Sequence, residues 1–220
     1  MTRVLKVFIA SPGDVQQERQ AVTEAVHNLS PRTLEMFDVA LDVIKWDDFS
    51  PVARPDLRGS HQEVINSRVA DATIFVGILN RRYGTPDNED PGKRSGTHME
   101  FETAIRYRDR ISILTYYKRE AFEDSHKETG NDPLQRKKLG ELKAKLRSER
   151  IPHHCYDNIE DFRRRIVLDL LEAAFQKTQG AVRRDHARRF FRFGVDWRKH
   201  CAPSVLIGYP AIHKHNPNEK

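Results

Sequence analysis

Near its amino terminus the chain reads Val4-Leu5-Lys6-Val7-Phe8-Ile9-Ala10-Ser11-Pro12-Gly13-Asp14. The first seven of these residues are almost all apolar and rich in β-branched and aromatic side chains, which is typical of a strand buried on both faces of a parallel sheet. The last four favour a turn, so the strand is expected to end there. Asp14 can cap the helix that follows, in which Val15, Val22 and Val26 recur at helical spacing.

Comparable apolar runs recur along the chain and alternate with helical patterns. This alternation predicts an α/β fold, in which a parallel sheet of four or five strands is flanked by helices on both faces. A polar stretch, residues 118–137, predicts a surface insertion. Further strands are expected over 39–46, 72–79, 111–117 and 151–155, and helices over 60–69, 97–108, 138–149 and 159–175.

In such folds the ligand lies beyond the carboxyl ends of the strands, where the strand order reverses. We therefore expect a nucleotide-sized site on the loops that follow the first three strands. The third of these loops, residues 80–95, is long enough to be functional in its own right. The Gly-x-Gly-x-x-Gly motif and the P-loop are both missing from the sequence, which argues against a Rossmann dehydrogenase or an NTPase.

The composition is typical of a soluble globular protein, with 32% charged and 38% hydrophobic residues. The sequence has no apolar run near the roughly 20 residues that span a bilayer, so we expect a cytoplasmic protein without a membrane partner. Two cysteines, Cys155 and Cys201, provide neither a disulfide framework nor zinc spacing. No metal site is predicted.

The net charge of +6 is concentrated in the last 40 residues, where nine Lys and Arg face three acids. We therefore predict two parts, an α/β domain over residues 1–177 and a basic, aromatic-containing extension over 178–220. Within the extension, residues 183–199 interleave arginines with Phe and Trp, a pattern that can bind nucleic acid through phosphate contacts and base stacking. The alternative is an appended helix that packs its aromatic side chains on the domain.

Several short motifs carry a family resemblance that covers roughly residues 3–176. The motifs are Val7-Phe8-Ile9-Ala10-Ser11-Pro12-Gly13-Asp14-Val15 with Glu18-Arg19, then Ala70-Asp71-Ala72, Arg82-Tyr83-Gly84-Thr85-Pro86, and Ser95-Gly96-Thr97-His98-Met99-Glu100-Phe101-Glu102. Through them the chain resembles a TIR-like family, long known as a domain of unknown function, whose fold is the flavodoxin-like arrangement of a parallel sheet.

The segment Gly96-Thr97-x-x-Glu100 is also similar to the one that carries the carboxylate nucleophile of nucleoside deoxyribosyltransferases. It departs from that pattern at Glu102, where those enzymes have glycine. Catalytic TIR domains use a glutamate on the helix after the third strand to cleave the nicotinamide–ribose bond of NAD. The resemblance therefore implies a possible NAD nucleosidase-type hydrolase in a stress or defence response, with NAD as substrate, no cofactor and Glu100 as the catalytic residue.

Two other kinds of function remain open. The chain could be a non-catalytic TIR-like signalling module that assembles with itself or with partners. It could also be a nucleic-acid-associated protein that acts through its basic extension.

The chemistry of the reaction gives Glu100 a role, because an ionised carboxylate can stabilise or capture the ribosyl cation that forms as an N-glycosidic bond breaks. A structural alternative is a capping box, Thr97-x-x-Glu100, at the start of a helix. Glu102 is expected to pair with Arg106 and face water.

The remaining candidate residues are expected to bind the ligand, and each also has a purely structural alternative. The turn after the first strand could present amides and a hydroxyl to phosphate or ribose. Aromatic rings could stack on a base or on nicotinamide, or could belong to the core or its rim. The candidates for substrate binding are Ser11, Gly13, Asp14, Trp46, Arg82, Tyr83, Gly96 and Thr97.

Overall fold

The computed structural model describes residues 3–44, 61–86, 93–119 and 133–178. Within these ranges five strands alternate with five helices. They are β1 (Arg3–Ala10), α1 (Gln16–Phe37), β2 (Val39–Ile44), α2 (His61–Asp71), β3 (Ile74–Leu79), α3 (Gly96–Arg106), β4 (Ser112–Lys118), α4 (Pro133–Ser148), β5 (His154–Tyr156) and α5 (Ile159–Thr178).

The strands form one parallel sheet in the order β2-β1-β3-β4-β5. This is an α/β fold of the flavodoxin-like arrangement, as the alternation of strand and helix predicts. The three most apolar runs of the sequence form β1, β3 and β4, which are the inner strands of the sheet. Inner strands are covered by helices on both faces and tolerate few polar side chains, so the most apolar runs are expected at these positions.

Helices cover both faces of the sheet. On one face Phe8 and Phe75 pack with side chains of α2, α3 and α4 in one buried cluster. On the other face α5 packs against the sheet, where the ring of Phe162 lies 5.2 Å from that of Tyr116 in an edge-on arrangement. The rings of Phe37 in α1 and Phe175 in α5 lie 5.7 Å apart, so these two helices share that face.

The switch in strand order falls between β1 and β3. The chain leaves β1 for β2 on one side and later returns to β3 on the other. The register aligns Ala10 of β1 with Gly77 of β3, and Leu79 of β3 with Tyr117 of β4. The loops that follow β1 and β3 therefore meet at one edge of the sheet, which we call the switch-point edge and define as residues 11–15 and 80–86.

Some predicted boundaries were wrong. The helix α4 begins at Pro133, inside the stretch predicted as an insertion, because proline suits the first turn of a helix. The strand β5 begins at His154 rather than 151, because the amide of Ile151 still bonds to Leu146 O at the end of α4. The strand β3 begins at Ile74 because the amide of Ala72 bonds back to Val69 O at the end of α2.

Several predicted features lie outside the described residues: the end of the second strand at Trp46, residues 87–92 of the long loop, the stretch 120–132 of the predicted insertion, and the basic extension beyond Thr178. The division into a domain and an extension therefore stays a prediction. Across the described ranges, none of the helices is long and apolar enough to cross a membrane.

Candidate functional site

Asp14 joins the two loops of the switch-point edge. Its Oδ2 accepts hydrogen bonds from the amides of Arg81 at 3.0 Å and Arg82 at 3.1 Å. The helix α1 instead begins with Val15 as its N-cap, without any side-chain cap. The prediction that Asp14 caps α1 was therefore wrong, because its Oδ2 bonds to two amides from the loop after β3 instead of an amide of α1.

The same turn holds two buried polar atoms that are left without a partner. Neither Asp14 Oδ1 nor Ser11 Oγ has a hydrogen-bond partner within the part of the chain that the structure describes. Gly13, between them, is exposed, and a side chain there would meet nothing within 4 Å. Buried polar atoms are usually paired, so an unpaired carboxyl oxygen and an unpaired hydroxyl in one turn call for an explanation.

Glu100 lies on α3 near this edge. The next residue, Phe101, packs its ring on β3 so closely that a Cβ atom added to Gly77 would lie 2.1 Å from Phe101 Cζ. Because Gly77 pairs with Ala10, this contact places α3 across the adjoining ends of β1 and β3. The Glu100 carboxyl also lies within the electrostatic influence of Arg19, in the first turn of α1.

The Glu100 side chain is buried, with 5% of its surface exposed. It makes no hydrogen bond to any of the residues that the structure describes. Burial raises the pKa of its carboxyl to about 8, and the positive charge of Arg19 opposes that rise. At neutral pH the free domain therefore holds Glu100 mostly in its protonated form.

The capping-box prediction for Thr97 and Glu100 was wrong. The N-cap of α3 is Ser95, whose Oγ accepts the amide of His98 at 3.2 Å. The N-cap is two residues earlier than the capping box requires, so His98 holds the third helical position and Glu100 lies two residues too deep in the helix to serve as a cap. Its burial therefore has no capping role to explain it.

Tyr83 belongs to the core, which is the structural alternative considered for it. Its side chain is 2% exposed, so its ring offers no open face for a base. The hydroxyl lies 2.6 Å from Nδ1 of His98, and burial lowers the pKa of that imidazole. A neutral imidazole can accept a hydrogen bond from the tyrosine hydroxyl at Nδ1. This contact links the loop after β3 to α3.

Glu102 pairs with three groups from different elements, and the predicted pairing with Arg106 was wrong. Its carboxyl contacts Arg94 at 2.6 Å, His98 Nε2 at 3.3 Å, and the ammonium of Lys145 in α4. Burial acts to raise the pKa of Glu102, but the hydrogen bond from Lys145 and the nearby positive charges outweigh it and lower the pKa. The Glu102 side chain is half-buried and structural.

The helix α4 holds the loop after β3 in place. Gln135 accepts the amide of Tyr83 at 2.9 Å and donates to Gly84 O at 3.1 Å. Gly84 has φ +102°, a left-handed conformation that favours glycine, and a Cβ there would lie 3.1 Å from Ser95 Cβ. Ser95 Oγ in turn donates to Tyr83 O at 2.8 Å.

Other predicted residues contribute less. Arg82 offers its amide to Asp14, while its side chain is exposed. Thr97 is buried on the first turn of α3, and Gly96 lies where a Cβ would meet Gln62 Oε1 at 2.9 Å. Trp46 is outside the described residues. The described residues that remain candidates through their side chains are Ser11 and Asp14 in the turn after β1 and Glu100 on α3, which is influenced by Arg19.

Sequence reasoning missed a second cluster at the carboxyl end of β4 and β5. Glu18, which is 2% exposed, accepts hydrogen bonds through Oε1 from Lys118 Nζ at 3.0 Å and Tyr156 OH at 3.1 Å. Burial and the charge of Glu18 raise the pKa of Tyr156, and Asp14 contributes to the same effect. A signal was present, because Glu18 lies on the apolar stripe of α1 between Val15 and Val22.

Comparison with known proteins identifies the family to which the chain belongs. The model of a domain of unknown function (DUF4062) matches residues 6–171. No curated protein matches the chain. Among solved structures, two of S. aureus homoserine dehydrogenase, at pH 6.0 and 7.0, align with 70% of this chain and 33% of their own, at 11% and 10% identity and TM-scores of 0.33 and 0.34.

The chain spans about a third of the length of those dehydrogenase chains. A structure of RosB with a bound riboflavin-phosphate intermediate aligns over 98% of this chain and 95% of its own, at 10% identity and a TM-score of 0.30. Similarity at these levels indicates neither a shared ligand nor a shared activity. The family match covers most of the sequence, from β1 into α5, and the chain belongs to the family described as a domain of unknown function, DUF4062.

Proposed function

We propose that this domain is a TIR-like nucleotide-processing enzyme that cleaves the N-glycosidic bond of NAD or a related nucleotide. The observation that carries the proposal is the carboxyl group of Glu100, which is buried on α3 near the switch-point edge and has its pKa raised by that burial against the charge of Arg19. Burying a carboxyl costs free energy, so such a group is a candidate for function.

The reaction would proceed as a hydrolysis. The bond between C1′ of the ribose and the pyridinium nitrogen breaks, and its electron pair leaves with neutral nicotinamide. The ribosyl cation that remains takes up water at C1′ and releases a proton. An ionised Glu100 would stabilise that cation or capture it before water arrives.

The raised pKa of Glu100 fits a substrate whose reacting ring carries a positive charge. In the free domain the carboxyl is mostly protonated at pH 7, since burial raises its pKa to about 8. The pyridinium ring of NAD would favour the ionised form and so lower that pKa once it is bound. Because kcat/KM reports the pKa values of free enzyme, it should rise with pH and level off above about pH 8.

The test is nicotinamide release from NAD by the full chain, measured with and without enforced clustering. Glu100→Gln keeps the size of the side chain but removes the charge, and should reduce turnover at least about 100-fold. Glu141→Gln, an exposed glutamate on α4, is the matched control and should leave turnover unchanged. Unchanged release by Glu100→Gln would refute the proposal. Absence of release from the clustered parent would favour the non-catalytic assembly module instead.

A further inference from the structure

The turn after β1 offers more than a connection between a strand and a helix. Asp14 uses only one carboxyl oxygen in the fold, since Oδ2 accepts both the Arg81 and the Arg82 amide. Two hydrogen bonds to one atom fix the orientation of the whole carboxyl group. Its other oxygen, Oδ1, therefore has a defined position, and it is buried without a partner in the described ranges.

Ser11 adds a second group of the same kind. Its Oγ is also buried and unpaired within the described residues, three positions earlier in the same turn. A serine hydroxyl can both donate and accept, whereas a carboxylate oxygen only accepts. The turn therefore holds one acceptor and one group that can both donate and accept, and neither has a partner among the described residues.

Phosphate is a poor match for this arrangement. A phosphate oxygen is an acceptor and would face the Asp14 carboxyl, while the two adjacent amides that could bind an anion are already occupied by Oδ2. A ligand hydroxyl matches better, because it can donate to Oδ1 and a second hydroxyl can pair with Ser11. Vicinal hydroxyls of this kind occur on ribose.

We infer that Asp14 Oδ1 binds a hydroxyl group of the ligand, with Ser11 Oγ of the same turn as a second group, so that the site selects ribosyl over deoxyribosyl compounds. The inference rests on the proposed function, which places a ribosyl compound at this edge. It makes Asp14 a residue that determines specificity, distinct from Glu100. It also separates this site from a deoxyribosyltransferase, to which the Gly96–Glu100 segment is similar.

The test is binding of nicotinamide mononucleotide and of its 2′-deoxy and 3′-deoxy analogues, measured by calorimetry. The full chain carries Glu100→Gln throughout, so that no probe is consumed. A compound whose hydroxyl donates to a carboxylate should bind about 10- to 100-fold more tightly than the analogue that lacks this hydroxyl. We expect at least one deoxy analogue to bind that much more weakly than nicotinamide mononucleotide.

Asp14→Asn is the informative variant, because its carbonyl oxygen can still accept the two amides while a neutral amide group replaces Oδ1. The preference should fall to about fivefold or less, the scale of a neutral hydrogen bond. Asp14→Ala removes both functions and should abolish the preference. Asp71→Asn, an exposed aspartate on α2, is the matched control and should retain it.

The outcomes separate this inference from the proposed function. A preference in the parent that Asp14→Asn retains in full, equal binding of all three probes, or no binding of nicotinamide mononucleotide would each overturn the inference. Nicotinamide release by the unsubstituted chain decides the proposed function independently. Selective binding without release would leave Asp14 as the determinant of a ribosyl-binding site that is not an enzyme.

Discussion

Replacing Glu100 with glutamine should make the stability of the domain less sensitive to pH. In the folded domain the carboxyl keeps its proton up to about pH 8, while its ordinary pKa is 4.5. Between these values the unfolded chain binds fewer protons than the folded one, so the parent loses stability as the pH rises. The difference between the two pKa values corresponds to roughly 5 kcal/mol when the pH exceeds both.

Between pH 5 and pH 7.5 the parent should lose about 3 kcal/mol of unfolding free energy through this one group. Glutamine does not titrate, so Glu100→Gln should gain about that much relative to the parent over the same interval. Urea unfolding of both proteins at several pH values in this range gives the difference directly. The pH dependence that arises from the other ionisable groups cancels in this difference, since the two chains share those groups.

Glu141→Gln provides the control, because that carboxyl is exposed on α4. The difference in unfolding free energy between Glu141→Gln and the parent should change little over the same pH range. A difference between Glu100→Gln and the parent that stays constant from pH 5 to pH 7.5 would contradict the reasoning. It would mean that the Glu100 carboxyl is solvated or paired in solution, which would also weaken its candidacy as a catalytic group.

Four further predictions concern stability and the basic extension. Gly77→Ala places a Cβ 2.1 Å from the ring of Phe101 in α3 and should lower the free energy of unfolding in urea by about 3 kcal/mol. An unchanged free energy of unfolding would mean that the ring can move away from the new methyl group. Lys118→Met leaves the buried Glu18 carboxylate without its ion pair and should cost about 2 kcal/mol; Glu18→Gln added to it should restore part of the loss, and no recovery would argue against the pair. Glu102→Gln breaks three contacts and should cost about 1 kcal/mol at low salt and less at high salt, where a salt-independent loss would be unexpected. Deleting residues 181–220 should leave the thermal unfolding of the domain unchanged and abolish salt-sensitive binding of nucleic acid, and retained binding would exclude the extension as its source.

The fold could be predicted because burial leaves a direct trace in the sequence. Inner parallel strands are covered on both faces, so β1, β3 and β4 appear as nearly continuous apolar runs. The stripe of α5 was visible for the same reason, and Phe162, Ile166 and Leu170 are buried as it predicts. Strand order was not readable in this way, because it depends on which strands pair across long separations in the chain.

The site was harder to predict because its polar contacts are long-range. Asp14 looked like a helix cap, but its partners are amides 67 and 68 residues away. Glu102 has a basic residue four positions further along its own helix, but its contacts are with His98 four positions earlier, with a residue of the preceding loop and with α4. Local spacing rules describe an isolated helix, and they fail where another element brings a stronger partner.

Glu18 shows what a closer analysis of spacing could have found. A charged residue on the apolar stripe of α1 must either leave the core or bring a partner into it. It brings two, from the ends of β4 and β5. The sequence indicates that such a residue is unusual, but only the packing identifies Lys118 and Tyr156.

The loop after β3 is closed at its base, and this bears on how the family can vary. Ser95 Oγ bonds to Tyr83 O, and a bridge links Pro86 with Ser95. Since these contacts hold the base of the loop together, the number of residues between 86 and 93 should have little effect on the position of α3. Doubling the length of a flexible loop costs only about 0.6 kcal/mol in closure entropy. Insertions at this point could therefore accumulate during evolution, or carry a fluorescent reporter, while Glu100 stays in position.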